Sequence, residues 1–201
     1  MGRPSSFDRE AAIETAMQEM WRIGYQASTV KTISETLGIN RSSYYNAFAS
    51  REGLFKEVLA AYAKQTPDRI LYGDLPDRPI SELITGTFRE ICKERAADPE
   101  HRGCLAVNCL VELTGDGNEL GQEIVDAVMN SANKFQELLE IAVARGELPN
   151  LADTRATALA LQNLMVGLSA FAKALTDEDE LWLTVKTTLI GLGVYQEGAS
   201  A

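Results

Sequence analysis

The sequence predicts an all-α protein of about nine helices, a small N-terminal helical domain followed by a larger helical one. Three observations carry this. Apolar residues recur at helical spacing in nearly every segment, beginning with Ile13, Ala16, Met17, Met20 and Trp21 at i, i+3, i+4, i+7 and i+8. No stretch alternates apolar and polar residues with the period of two that a half-buried strand requires. Glycine, proline and aspartate cluster where the helical patterns break: from Gly73 to Pro79, at Asp98 and Pro99, and at residues 114–117 and 146–150.

Taken in order, the first helix is predicted from Asp8, a good N-cap, to Ile23, with Gly24 as its stop. A short second helix starts near Ser28 or Thr29 and ends at Gly38, burying Val30, Ile33 and Leu37. A third follows almost at once, capped by Asn40, with Tyr44 and Phe48 pointing inward. The fourth begins after Ser50, carries Leu54, Phe55, Val58 and Leu59 on one face, and leads toward Pro67. Beyond the loop at residues 73–79, helices are predicted over Ile80–Ala97, Cys104–Leu113, Glu119–Arg145, Asp153–Leu175 and Asp179–Tyr195. The expected division is residues 1–50 as a helix-turn-helix domain, 51–66 as a connecting helix and 67–201 as the larger domain.

With 201 residues and 45% hydrophobic content, the chain can build an ordinary core. Its net charge of -10 argues against a generally sticky nucleic-acid coat. The charge is uneven, however. Residues 1–66 carry eight Lys/Arg against seven Asp/Glu, a net of +1, and residues 67–201 carry eleven against 22, a net of -11. The N-terminal third is therefore the one part not repelled by a polyanion. The three cysteines, odd in number and without C-x-x-C spacing, fit a reducing cytoplasm better than a disulfide framework or zinc site. The start MGRPSSFDRE lacks the apolar stretch of a signal peptide. The longest uncharged run, Ala156–Ala172, contains Thr157, Gln162, Asn163 and Ser169, which suits a buried helix better than a membrane span. A cytoplasmic protein with no membrane partner is expected.

Residues 30–48 have the spacing of a DNA-binding helix-turn-helix. The first helix of such a pair needs a small residue at the crossing and a glycine four positions later at the turn, and Ser34 and Gly38 stand in that relation. Val30, Ile33, Leu37, Ile39 and Tyr44 hold the pair together. Arg41, Ser42, Ser43, Tyr45 and Asn46 are then left facing outward, as donors and acceptors suited to phosphates and base edges. A glycine-turned helical hairpin can also arise by chance in an all-helical protein.

The longer stretch WRIGYQAST followed by VKTISETLGINRSSYYNAFASREGLFKEVL settles between these readings: residues 7–59 resemble the N-terminal domain of the TetR-type transcriptional repressors. The resemblance implies that the third helix enters the major groove of a double-stranded operator, with Arg41, Ser42 and Asn46 toward the bases, Tyr45 on a phosphate and Ser43 on the same outward face. It implies backbone contacts from Thr29 and Lys31 at the N-terminal end of the second helix, where the dipole and free N–H groups favour phosphate, and from Arg51. Arg3 is expected to reach the minor groove from an N-terminal arm. Where the family often has glycine, an aromatic or histidine, and proline, this chain has Ser42, Ala47 and Ala49, which leaves the operator sequence open.

The acidic remainder shows no catalytic set: it has a single histidine, His101, and no glycine-rich phosphate loop or nucleophile elbow. No enzyme and no cofactor is expected. The last two helices are apolar on more than one face and so need partners on two sides. The resemblance implies that they form a homodimer interface, for which Leu164, Leu168, Phe171, Trp182, Val185 and Leu189 are the candidates, with Gly167, Ala170, Gly191 and Gly193 permitting close approach. It also implies a small-molecule pocket, with Phe88, Cys92, Asn108, Val111, Phe135, Leu139 and Leu164 as candidate lining, although apolar residues at helical spacing usually only pack.

In EHRGCLAVNCLVEL, Cys104 follows Gly103 at a helix start with His101 and Arg102 just before it, a setting that lowers a thiol pKa. The segment resembles a subset of the family with Gly-Cys opening the sixth helix, which includes a repressor responsive to N-ethylmaleimide. A free cysteine is also an ordinary small buried hydrophobe. Cys109 lies about 140° further around the helix, so the two thiols cannot share one wall.

The expected function is a dimeric, ligand-responsive repressor of a palindromic operator, released by a small molecule or by thiol modification. A helical small-molecule-binding protein with a vestigial helix-turn-helix, an enzyme on a helical scaffold and an activator of the same fold remain as alternatives.

Overall fold

The chain is described by a computed structural model over residues 8–74, 77–114, 119–148 and 151–196. Arg3 and the sequence breaks at 115–117 and 149–150 lie outside the described residues. Nine α-helices and one 3-10 helix follow one another among those described: α1 Arg9–Ile23, α2 Val30–Thr36, α3 Arg41–Phe48, α4 Arg51–Ala63, the 3-10 helix Pro67–Tyr72, α5 Ile80–Ala97, α6 Leu105–Leu113, α7 Glu119–Ala144, α8 Thr154–Phe171 and α9 Glu178–Gly191.

Most starts are set by a side-chain oxygen taking up an otherwise orphaned first-turn amide. Asp8 accepts from Ala11 N at 3.1 Å, Thr29 from Thr32 N at 3.1 Å, Asn40 from Ser43 N at 2.8 Å and Ser50 from Gly53 N at 2.9 Å. Asp153 and Asp177 do the same for α8 and α9. The last two helices stop earlier than their apolar patterns. α8 gives way at Phe171, whose carbonyl accepts from both Ala174 N and Leu175 N. α9 closes where Gly193 N donates to Ile190 O and Val194 N to Leu189 O, a terminating pair that needs Gly193 in the left-handed region. The 3-10 helix Pro67–Tyr72 has no counterpart in the sequence pattern, being too short for helical periodicity to register.

Two apolar cores form, and they do not follow chain order. One joins α1 to α4 with Leu105, Cys109 and Leu113 of α6 and Leu120 and Ile124 at the start of α7. The other joins the 3-10 helix, α5, the rest of α7, α8 and α9. Helix α6 and the first turns of α7 therefore belong by packing to the N-terminal helices. At their junction Lys56 pairs with Glu123 at 2.5 Å, and the Gln26 amide donates to Glu112 Oε2 at 3.0 Å.

Candidate functional site

The outward face of α2 and α3 is defined by what anchors its inward face. Tyr44 and Phe48 are buried, their rings 5.4 Å apart, and Ile33 and Ser34 of α2 are buried with them. Burial is also the main reason the Tyr44 hydroxyl is pushed up to about 12. The end of α3 is held by Arg9, which donates to Ala47 O at 2.6 Å, pairs with Glu57 and lies over the Phe48 ring. With that side fixed, Thr29, Lys31, Arg41, Ser42, Ser43, Tyr45 and Asn46 are all exposed. The two adjacent tyrosines separate cleanly: Tyr44 is 0% exposed and Tyr45 is 44% exposed.

Arg51 departs from the expectation. Its Nε donates to Ser28 O at 3.0 Å, its Nη2 donates to Tyr25 O and Gln26 O, and its guanidinium stacks 3.9 Å over the Tyr25 ring. The loop between α1 and α2 leaves these carbonyls without helical partners, and the planar fork of arginine satisfies several at once. Arg51 therefore clamps that loop and is not a free cation for phosphate.

Behind α4 lies a cavity of about 420 Å³. Its walls are mainly apolar, with Ile91 from α5, Val107 from α6, Val128 from α7 and Met165 and Val166 from α8. A polar node joins it to the N-terminal helices: the Tyr62 hydroxyl accepts from Leu105 N at 3.3 Å and from Arg95 Nη2 at 3.4 Å, and the Cys104 thiol lies close enough to act on it electrostatically. Burial first, and the thiol next, push the Tyr62 pKa up and keep it protonated. Tyr62 in turn meets the Trp21 ring edge-on at 5.1 Å. Arg95 is only 4% exposed; its Nη1 pairs with Glu94 at 2.7 Å and its Nε has no partner. Burial pushes the Glu94 carboxyl up despite that pairing. Gln162, also lining the cavity, has an unpartnered Oε1.

Residues 12–58 match the family model described as bacterial regulatory proteins, tetR family, and residues 84–187 match the one described as tetracyclin repressor-like, C-terminal domain. The chain belongs to the TetR family. Among its relatives, the transcriptional repressor ComR of Escherichia coli K12 is 26% identical over 94% of this chain and 90% of its own length. The repressor BdcR of the same organism is 32% identical over 53% of this chain and 54% of its own length. Among solved structures, the TetR family regulator CifR, as a cysteine mutant complexed with 26bp double-strand operator DNA, is 29% identical with a TM-score of 0.82, covering 94% of this chain and 98% of that one.

On this TetR fold the pocket candidates fall in three places. Phe88, Cys92, Phe135 and Leu139 are fully buried in the C-terminal core, where the Phe88 and Phe135 rings stack at 6.1 Å, and Leu164 is half-buried against it. Burial pushes the Cys92 thiol up to about 12. Asn108 donates from Nδ2 to Arg102 O at 2.9 Å, and Val111 is 78% exposed on the outer side of α6. None of these seven lines the cavity, whereas Cys104, singled out for its thiol, does. Arg95 lines the same cavity as this cysteine. Arg102 grips Asp98 at 3.1 Å, donates to Gln18 Oε1 of α1 at 2.7 Å and lies 4.2 Å over the Trp21 ring, docking the α5–α6 linker onto α1.

The interface candidates divide as well. Leu168, Val185 and Leu189 are buried within the protomer, Leu164 and Trp182 are half-buried, and Phe171 is exposed. The apolar residues left outside are Leu159 and Phe171 on α8 and Leu183 and Ile190 on α9. Gly167, Ala170 and Gly191 are exposed alongside them. Both helices are apolar on more than one face, so periodicity could not tell which stripe α5 and α7 would cover.

Arg95 and Gln162 were missed by the sequence reading, although each had a signal. Arg95 continues the buried stripe Ile84, Phe88 and Ile91 of α5, and Gln162 stands between Ala158 and Met165 in that of α8. A polar side chain on an apolar stripe is the informative exception.

Proposed function

We propose that this chain is a cytoplasmic, homodimeric transcriptional repressor that reads a palindromic operator with α3 and leaves it when a small molecule occupies the cavity behind α4. The observation that carries the DNA reading is the division of α3. Tyr44 and Phe48 lock the helix from inside, and Arg41, Ser42, Tyr45 and Asn46 stand exposed with an arginine that has no ion-pair partner among the described residues. Arg41, Ser42 and Asn46 suit base edges, Ser43 and Tyr45 suit phosphates, and Thr29 and Lys31 lie at the N-terminal end of α2 where the dipole favours anions. The operator complex of CifR, similar over nearly the whole chain, supports the same use here.

In this reading residues 1–50 form the DNA-binding head, 51–66 the connecting helix and 67–201 the regulatory and dimerising part. The dimer face is the exposed stripe of Leu159, Phe171, Leu183 and Ile190, whose neighbouring small residues let two helix pairs approach. Release is a population shift, in which the effector binds better to the dimer whose heads are spaced wrongly for two half-sites. The contacts of Tyr62, Arg102 and Glu112 with α6, α1 and the α1–α2 loop give cavity and head a shared framework.

The test is a mobility shift with DNA selected from a random pool. The unaltered chain is expected to select a palindrome, and Arg41→Ala with Tyr45→Phe to lose it while sedimenting as a dimer. Unchanged binding by that double variant sinks the assignment of α3. A second trigger, modification of Cys104, is favoured because this residue is only partly buried and lines the cavity, while Cys92 and Cys109 are buried. N-ethylmaleimide is then expected to release DNA from the unaltered chain but not from Cys104→Ser. Release that persists in the variant refutes the thiol trigger.

A further inference from the structure

The cavity walls are apolar, but its charged lining has a sign. Lys64, Arg69 and Arg95 face one anion, Asp68, and counting Glu94 on Arg95 the balance is three cations to two anions. Two of the three cations, Arg69 and Arg95, come from residues 67–201, whose net charge is -11. Arg95 is the buried member of the set, and its guanidinium is satisfied on one side only. Glu94 takes Nη1. The opposite, side-on edge is formed by Nε and Nη2; Nη2 has the long 3.4 Å bond to Tyr62 and Nε has none. An unmade hydrogen bond on a buried cation is unfavourable, and that edge is the one whose two parallel N–H groups match a carboxylate. Gln162 brings a second unpartnered polar atom to the same cavity from α8.

We propose that the effector is a compact, largely apolar organic acid whose carboxylate is received on the Nε–Nη2 edge of Arg95 while its apolar body lies among Ile91, Val107, Val128 and Met165. This rests on the reading of the cavity as the effector site. Glu94 lies on the other edge and does not have to leave, so the carboxylate adds a partner to the guanidinium. The volume of about 420 Å³ lies in the range of small-molecule sites and suits a single short chain or ring. A neutral molecule of the same shape fills the walls equally well but leaves the Arg95 edge unmatched, and selectivity for the acid follows from that difference.

The experiment uses the full chain and three probes with one tail: octanoate, octanamide and octanol. Each is titrated against the fluorescence of bound N-phenyl-1-naphthylamine, a neutral apolar dye that reports occupancy of the cavity whatever its charge preference. Octanoate is expected to displace the dye at a concentration about tenfold or more below octanamide, as a charge-assisted hydrogen bond implies. Arg95→Gln is expected to bring that ratio close to one and leave dye binding in place, whereas Lys64→Gln and Arg69→Gln keep the preference. If Arg95→Gln does not retain its helical circular dichroism, the ratio in the unaltered chain decides.

Equal displacement by octanoate and octanamide overturns the acid but leaves the cavity reading standing, because the dye is still displaced. A preference that follows Lys64 or Arg69 in place of Arg95 overturns the docking point. Failure of the dye and all three probes to bind overturns the inference and the cavity reading together.

Discussion

The outward face of α2 and α3 and the cavity behind α4 are both built around a buried polar side chain, but they use it in opposite ways. In the head, Tyr44 goes inward so that its neighbour Tyr45 can stay outside, and every side chain assigned to the reading face comes from the short stretch between Thr29 and Asn46. In the cavity, Tyr62, Arg95, Cys104 and Gln162 come from α4, α5, the start of α6 and α8, and meet only because two apolar cores bring those helices together. The head is local and rigidly backed; the cavity is non-local and incompletely satisfied. The difference matches their tasks, since a reading surface needs one geometry whereas a regulatory site needs two within reach.

The largest effect should come from testing the tyrosine pair. Tyr44→Ala empties a fully buried ring site and is expected to cost about 3–5 kcal/mol in urea denaturation, whereas Tyr45→Ala should change stability by less than about 0.5 kcal/mol and still abolish operator binding. Comparable losses of stability would mean that the two faces of α3 are not divided as described.

How legible each region was follows from the same contrast. Caps at Asp8, Thr29, Asn40 and Ser50, the glycine turn and the inward positions of Tyr44 and Phe48 depend on neighbours within a few residues, so the head could be read from spacing. Arg51 was the exception, because its partners are carbonyls of the α1–α2 loop more than twenty residues away, as the separation of 23 to Ser28 shows. The cavity was largely illegible. Phe88, Phe135 and Leu139 have the same spacing as a pocket wall and prove to be core, and Val111 follows Leu110 in an apolar run yet points outward. Which stripe of an apolar helix faces a void is decided by the helices opposite, and periodicity carries no information about them. Of the cavity residues, Cys104 was singled out by its place at a helix start, and Arg95 and Gln162 carried a signal, a polar side chain on a buried stripe, that went unread.

A second pair of substitutions tests the backbone in each region. Gly38 and Gly103 both have positive φ, of 65° and 71°. A Cβ on Gly38 meets nothing within 4 Å, so Gly38→Ala should cost only the left-handed conformation, about 1–2 kcal/mol. A Cβ on Gly103 would lie 2.4 Å from the Ser169 carbonyl oxygen of α8, which cannot swing aside as a side chain can. Gly103→Ala is therefore expected to cost about 3 kcal/mol or more and to alter dye binding in the neighbouring cavity. Equal costs at the two glycines would show that the α5–α6 linker does not rest on α8.

The tie between the regions is next in size. Arg102→Met removes the bonds to Asp98 and Gln18 and should cost about 2 kcal/mol, in the range for hydrogen bonds to charged groups. Burial opposes the charge on Asp98, but the Arg102 side chain and backbone bonds outweigh it and hold the carboxyl below its usual value. A depressed carboxyl contributes stability that is present above the unfolded carboxylate pKa and lost as pH falls through the folded one. Stability of the unaltered chain should accordingly decline on acidification by more than that of Arg102→Met, measured as urea midpoints across the acid range. Parallel declines would remove Arg102 as the cause.

The smallest effect belongs at the rim of the head. Lys31 is 80% exposed at its side chain and has only a 3.9 Å contact with Glu35, itself 69% exposed. Such a pair contributes little to folding, so Lys31→Ala should leave the denaturation curve unchanged. On DNA the residue has a separate measurable role. Each phosphate neutralised by a cation releases condensed counterions, and losing one contact lowers the slope of log affinity against log salt by about 0.9. Lys31→Ala is thus expected to weaken binding at low salt by a similar factor on selected and unselected DNA, with the slope reduced by that amount. A change confined to the selected sequence would instead place Lys31 among the base-reading residues and extend the reading surface from α3 onto α2.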